Sequence, residues 1–500
     1  NYDIIWLIEN YQKEAIMAIR SYQPQQFMLF FSNPKDILGQ DHLCFIVDDI
    51  VEHLDLSALA NKQGTVGAPC YDYRLLIKVL FYGYATGTFS SRKIMKSTQE
   101  NIAYIYLTRQ QAPNFRTISD FRKNHQALLE DSFISIVKAA KEIGLIKLGT
   151  VSLDSTKIRA NASSQKTFTQ DELREQKKRI KDAISEAIKT DEAEDKLYGE
   201  DKTGDELPED IKDQKKRLEK IKQALHKAKE SDKEKINLTD HDANFMKSNG
   251  VIQTNYNCQL AVDNKTELIL SGEVKTCVAD AGEVKAQVEI IKQTFKTKPK
   301  ELLADSGYYS VDSLTYLDDN RIKGYLPHPD FARDKKDKFK NKQRLFSKQL
   351  FRYNRIKDQY ICPEGNILYK KTVQTKKDLT LYQARDCRQC LKKKLCLRGK
   401  AKLRLVSRYA NEDLLIKMRN RLATKFGRNK YKQRAPAAET PFGHFKKNLG
   451  FRQFLCRGQP RVSTEFKLLC IGYNIRKIAS FISTPEKKMR FNSALSWALN

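Results

Sequence analysis

Asp154 and Asp305 each close a short apolar run, in VSLDS and ELLADS, and each is followed by a serine. An apolar run of this length reads as a buried strand, which places both carboxylates at the C-terminal edge of a strand, where α/β folds hold their reacting groups. Carboxylate oxygens are hard ligands that suit Mg²⁺ or Mn²⁺. Phosphodiester transfer uses two such ions roughly 3.5–4 Å apart, one at the attacking oxygen and one at the leaving oxygen. Two aspartates and a third acid would supply their ligands. The chain has 61 Asp and Glu, so surface carboxylates and strand caps are the competing explanation. Asp240, Asp242 and Asp263 are reserve candidates.

A second group is sulfur. Cys362 is followed by CRQCLKKKLC, which contributes Cys387, Cys390 and Cys396. Four thiolates can bind Zn²⁺ tetrahedrally, as in a structural ribbon. The long first spacing and the five-residue last one are loose for that pattern, and reduced thiols in a basic loop are the alternative. Cys44, Cys70, Cys258, Cys277, Cys456 and Cys470 stand singly among apolar neighbours and read as core residues.

Lys and Arg number 91 against those 61 acids, a formal charge of +30, which points to a polyanionic partner. The excess is concentrated between Lys335 and Arg404, interleaved with Phe339, Phe346, Phe351, Tyr353 and Tyr360, a spacing that suits phosphates and bases together. No apolar run is long enough to span a bilayer and no leader pattern precedes the first domain, so a cytoplasmic protein without a membrane partner is expected. At 500 residues and 40% apolar content the chain can build two to four domains.

The elements that must position these groups change character along the chain. Residues 1–39 are left unassigned. Residues 40–147 read as a helical DNA-binding domain, in which SSRKIMKSTQENIAYIYL, a break at Pro113, and one long helix capped by Thr117 form a helix-turn-helix. Arg116, Arg122 and Lys123 then fall near the start of the second helix, where a groove-reading helix presents side chains; plain packing or backbone contact is the alternative. A short strand, Val151 to Asp154, opens a new domain over 148–165 and 240–329, with elements in the order strand, strand, helix, strand, helix, strand. Residues 166–239 interrupt it as a charged helical hairpin with stripes Ile180, Ile184, Ile188 and Leu218, Ile221, Leu225 around a loop with Gly204 and Pro208. Residues 330–410 form a basic, cysteine-containing insertion, and residues 411–500 close the chain with helices.

Three segments taken in order resemble the DDE superfamily of insertion-sequence transposases. SLDSTKIRANAS is similar to that family's first-aspartate segment, ELLADSGYYS to its second, and AAETPFGHFKKNLGFRQFLCRG to its glutamate segment. The resemblance covers most of the chain and sets Asp154, Asp305 and Glu439 at the matching positions. It implies an α/β fold with a ribonuclease H-like mixed-sheet core, interrupted by an insertion ahead of the glutamate. It also implies metal-dependent cleavage at element ends and strand transfer, with two Mg²⁺ or Mn²⁺ ions as cofactor.

Around Glu439 the sequence resembles a subgroup signature of Tyr, Arg, Glu and Lys, here Tyr431, Arg434, Glu439 and Lys446, with the Arg-to-Glu spacing one residue longer than the pattern. Glu439 and Lys446 are seven apart, which on a helix puts a cation beside the acid. Lys446 and the following Lys447, Arg452 and Arg457 are expected on DNA. Thr440 and Pro441 read as a helix cap and first turn, which leaves Glu439 just before that helix and not on it. His444 reads as a packing or phosphate-contact residue. The implied partner is double-stranded DNA, as terminal inverted repeats and target, bound by a homodimer at the nucleoid. A decayed, non-catalytic DNA-binding protein and a host nuclease of the same fold are the alternatives.

Overall fold

The computed structural model describes residues 34–56, 71–198, 209–248, 250–328, 346, 348–375, 378–397 and 401–497. The chain divides into two units, residues 1–42 and 43–500. The described part of the first contains one short helix, Pro34–Leu38. Cys70, Gly204, Pro208 and Phe339 fall outside the described residues, as do most of the residues between 329 and 347.

The described part of the second unit begins with six helices: α1 (Leu43–Glu52), α2 (Tyr73–Thr86), α3 (Ser91–Glu100), α4 (Ile102–Thr108), α5 (Phe115–Asn124) and α6 (Gln126–Glu142). Asp72 caps α2, accepting the Arg74 N–H at 2.7 Å, and Gly87 ends it at φ 88°. The long helix expected after Pro113 is two helices. Asn114 caps α5 through the Arg116 N–H at 2.9 Å in place of Thr117, and His125, at φ −116° and ψ 44°, breaks the pattern before α6. Asn114 is the residue whose carbonyl oxygen is placed to accept an otherwise unpaired first-turn donor. Arg122 and Lys123 therefore lie in the last turn of α5, away from its start.

A mixed sheet follows. Its central strand β1 (Thr150–Arg159) runs antiparallel to β5 (Val251–Asp263) and parallel to β7 (Glu301–Leu303); β6 (Ile269–Lys275) pairs with β5 and β8 (Lys323–Tyr325) with β7. A further strand, β4 (Asn244–Ser248), makes a hairpin with the first part of β5. Taken without that hairpin, the five main strands lie in the order third, second, first, fourth, fifth, with the second antiparallel. Helix α9 (Glu283–Phe295) links the third to the fourth and α10 (Val311–Asp319) the fourth to the fifth. This is a ribonuclease H-like mixed sheet, with the strand and helix order read from the sequence. β1 outruns the expected Val151 to Asp154 because β5 pairs with it as far as Arg159, so Asp154 sits in mid-strand.

Two inserts leave the sheet. Residues 167–237 form a ribbon of β2 (Thr167–Thr169) and β3 (Lys235–Asn237) carrying α7 (Gln170–Tyr198) and α8 (Glu209–Glu230). Leu173, Ile221, Ala224, Ala228 and Ile236 make its small core, with Ile180 and Leu225 packed against them. The second insert is an antiparallel meander of β9 (Arg352–Asn354), β10 (Gln359–Ile361), β11 (Ile367–Gln374), β12 (Leu379–Ala384) and β13 (Leu405–Tyr409). Phe351 and Tyr360 are buried in its core, and Phe346 and Tyr353 pack against it. Those aromatics hold the module together and are not a base-stacking platform.

The chain closes with α11 (Glu412–Ala423), α12 (Lys425–Lys432), α13 (Arg434–Gly443), α14 (Gln459–Phe481) and α15 (Pro485–Trp497). α14 is buried along most of its length, with Glu465, Lys467 and Asn474 buried among its apolar residues. It crosses α2 so closely that a Cβ on Gly472 would stand 2.7–2.9 Å from the backbone of Tyr84 and Ala85. Of the single cysteines, Cys44, Cys258 and Cys470 are buried, while Cys277 is exposed and Cys456 half-buried. Among the described residues no helix is long and apolar enough to cross a membrane.

Candidate active site

The sheet register brings the first two acids together. Ser152 of β1 pairs with Leu303 of β7 in parallel, so Asp154 and Asp305, each two residues further on, leave adjacent strands at the same level. Parallel pairing stops at that point and Asp305 turns away, capping a tight turn by accepting the Gly307 N–H at 2.8 Å. Asp154 stays on β1, its Oδ1 accepting the Ser155 N–H at 2.9 Å.

Helix α13 brings the third. Glu439 lies within the helix, not ahead of it. Pro436 is its third residue, where a missing N–H leaves no bond unmade; Pro441 lies inside the helix, and a π turn over His444–Asn448 follows it. Arg434, the first residue of α13, joins the group. Its Nη2 donates to Glu439 Oε1 at 3.0 Å, and its Nη1 stands 3.4 Å from Asp154 Oδ1. That second contact is an ion pair without hydrogen-bond alignment, and Nη1 is a buried donor with no acceptor. Arg434 is only 12% exposed, whereas the Glu439 side chain is 60% exposed.

Electrostatics record the same proximity. Burial pushes the Asp154 carboxyl up to about 6; Arg434 and the Ser155 N–H oppose the rise, and the negative charges of Asp305 and Glu439 add to it. Arg434 is held above its ordinary value, with burial opposed by Asp154, Tyr431, Asp305 and Glu439. Tyr431 stands beside the guanidinium, and burial raises its hydroxyl. Lys446, beyond Glu439, donates to Thr156 Oγ1 and to the Lys157 carbonyl at 3.2 Å, which ties it to β1 two residues past Asp154. Burial lowers its ammonium.

Asp280 was not singled out in the sequence. It precedes α9 and accepts from Asn257 at 2.8 Å and Gln259 at 2.6 Å, with Lys157 at 3.4 Å. A Cβ on Gly307 would stand 3.1 Å from Asp305 Oδ1 and 3.3 Å from Asp280 Oδ2, so this fourth carboxylate flanks the turn that Asp305 caps. Tyr308 closes the same wall by donating to Gln259 Oε1. One signal could have found it: Asn255, Asn257 and Gln259 alternate along an otherwise apolar strand, and all are buried.

Among the described residues no group of three or more His, Cys, Asp or Glu side chains is already placed to hold a metal ion. At the acid site the reason is visible: Arg434 stands between Asp154 and Glu439. The donor set, carboxylate oxygens around a buried position, still fits a hard divalent cation once that guanidinium turns aside.

The other candidates separate into surface and core. Arg116, Lys123, Lys447, Arg452 and Arg457 are exposed, Arg457 donating to the Asn161 carbonyl at 2.8 Å. Arg122 is buried at 7% exposure and donates to the Tyr84 hydroxyl at 2.7 Å, which in turn meets the buried Glu465 at 3.3 Å. It is therefore a core ion and no groove-reading residue. Asp240 accepts from Tyr256 at 2.7 Å, Asp242 from the Gln459 N–H at 2.8 Å, and Asp263 from Thr266 at 3.0 Å; all three hold turns. His444 packs against Tyr473.

Residues 361–479 match the family "Transposase DDE domain", a span that includes Glu439 and Lys446. Residues 32–124 match a second family, "Transposase domain (DUF772)". No curated relative matches the chain. Among solved structures, a cryo-EM structure of the piggyBac transposase synaptic complex with hairpin DNA aligns over 91% of this chain and 79% of its own at 10% identity. Its TM-score of 0.31 gives that likeness no weight. Two spans of the chain thus match transposase domains, one toward each end, the later one of DDE type.

Proposed function

We propose that Asp154, Asp305 and Glu439 are the metal-holding acids of a DNA transposase that cleaves at its element's ends and joins the freed 3′-hydroxyl to target DNA. The observation that carries this is the bridging of Asp154 and Glu439 by Arg434, beside the strand edge where Asp305 leaves β7 level with Asp154. Divalent ions, Mg²⁺ or Mn²⁺, supply activation of the attacking oxygen and charge stabilisation at the leaving oxygen when bound.

The chain's own residues prepare that site. Asp154 and Asp305 offer oxygens from the rigid sheet, and Glu439 offers one from an exposed helix face that can adjust. Arg434 neutralises two of these acids in the metal-free protein. Its unbonded Nη1 has a DNA phosphate oxygen as its natural acceptor, so bound DNA draws the guanidinium off the carboxylates and opens them to cations. Lys446 and Tyr431 line the same edge, with Lys447, Arg452, Arg457, Arg116 and Lys123 as exposed contacts for double-stranded DNA. Two copies act together on a pair of inverted repeats, at the nucleoid in the cytoplasm.

The test is cleavage of labelled end DNA in Mg²⁺ by the intact chain and by Asp154→Ala, Asp305→Ala and Glu439→Ala. Each variant is expected to lose cleavage by about a thousandfold, the scale lost with a group that stabilises developing charge, while shifting the same DNA in a gel. A variant that cleaves at the parent rate removes that residue from the site.

A further inference from the structure

Among the described residues the meander β9–β13 has a core of seven buried residues, and one of them is Cys396. So few apolar side chains give a small module little stability of their own, and modules of this size commonly depend on an added covalent or metal staple. The remaining cysteines of the insert stand around the same core: Cys362 and Cys387 pack directly against it.

The register explains why they meet. Leu368 of β11 pairs with Ala384 of β12, so the hairpin loop that starts at Cys362 and the loop that carries Cys387 and Cys390 emerge at one end of the sheet. The short helix Lys393–Cys396 then folds back over that end, and Arg404 pins it by donating to the Cys396 carbonyl at 3.0 Å and the Phe346 carbonyl at 2.9 Å. All four sulfur-bearing residues line one cavity, with about 20 Å³ of room for the centre of a water-sized sphere, space for a single water or ion.

The hairpin also fixes where the Cys362 sulfur lies. The Cys362 N–H donates to the Asn366 carbonyl at 2.8 Å, and Gly365, at φ 85°, curls the loop so that the Asn366 N–H points at Cys362 Sγ from 3.2 Å. All four cysteines are free of disulfides.

We propose that Cys362, Cys387, Cys390 and Cys396 bind one Zn²⁺ that staples this module together. Four thiolates at a single-ion cavity match tetrahedral zinc at about 2.3 Å per Zn–S bond. The side chains must swing inward to reach it, since no three of them already stand ready for an ion. Loose spacing along the chain is no obstacle, because the ligands come from three separate turns that the sheet gathers.

The test is zinc content of the full-length protein, purified with reductant and without chelator. About one zinc per chain is expected, and close to none in Cys362→Ser, Cys387→Ser, Cys390→Ser or Cys396→Ser, with the content of Cys277→Ser unchanged. Where a variant is insoluble, titrating the intact protein with a mercurial reagent reads the same ligands, with zinc released as four thiols react. Cobalt in place of zinc should give thiolate-to-metal charge-transfer bands. Absence of zinc and of those bands, zinc that survives the serine variants, or iron with visible absorption would each overturn the proposal. The inference does not rest on the acid site, and Asp154→Ala should keep its zinc whatever happens to DNA cleavage.

Discussion

Arg434 faces Asp154 across 3.4 Å in an ion pair that lacks hydrogen-bond alignment, while its other terminal nitrogen is bonded to Glu439. A guanidinium so placed does for two acids what divalent cations would do, but more weakly and with one donor left over. It therefore stabilises the metal-free protein.

Removing that cation should expose the strain. Arg434→Ala leaves Asp154 buried without its counter-ion, a loss on the order of 3 kcal/mol for a broken buried pair. Thermal melts in chelator should show the full drop, and melts in millimolar Mg²⁺ a smaller one. An equal drop in both would mean that Arg434 and cations do not share a place.

The raised Asp154 carboxyl predicts a pH signature. Its folded value, about 6, lies above the ordinary 3.8, so the folded chain keeps a proton that the unfolded chain releases between roughly pH 4 and 6. This group's contribution to stability falls as pH rises through that window and is flat above it. Asp154→Asn should therefore gain up to about 3 kcal/mol relative to the parent at pH 8, and nothing near pH 3.5, in chelator. Denaturant melts at the two pH values check both the size and the sign.

Arg122 should behave as a core residue. Arg122→Ala strands the buried Glu465 and Tyr84 hydroxyl and should cost about 3–5 kcal/mol, whereas Arg116→Ala, on an exposed position of the same helix, should leave the melting temperature unchanged. If Arg122→Ala melts like the parent and only weakens DNA binding, the groove-reading role returns.

Gly472→Ala puts a methyl against the backbone of α2 and should cost about 1–3 kcal/mol through overpacking. A melting temperature equal to the parent's would mean that α2 and α14 cross less closely.

Much of the sheet was legible because strand periodicity and strand order are local properties. VSLDS and ELLADS gave the two strands that carry aspartates, and parallel register then does the rest. The end of β1 was not legible, since only its partner β5 decides how far pairing runs. Asn114 outcompeted Thr117 as a cap because Pro113 stops the preceding turn immediately before it, a detail that the wider apolar pattern conceals. Arg122 looked like a surface cation since its partners, Tyr84 and Glu465, are remote in sequence. Asp280 belongs to no motif, and only the buried amides of β5 betray it. The basic, aromatic texture of the insert misled because Phe351 and Tyr360 are needed for its small core.

The most direct measure of the central claim is Mn²⁺ binding to the DNA-bound chain, read by calorimetry or electron paramagnetic resonance. The account predicts about two ions per site, with affinity lost in each of Asp154→Ala, Asp305→Ala and Glu439→Ala. Unchanged Mn²⁺ binding in all three variants would contradict it.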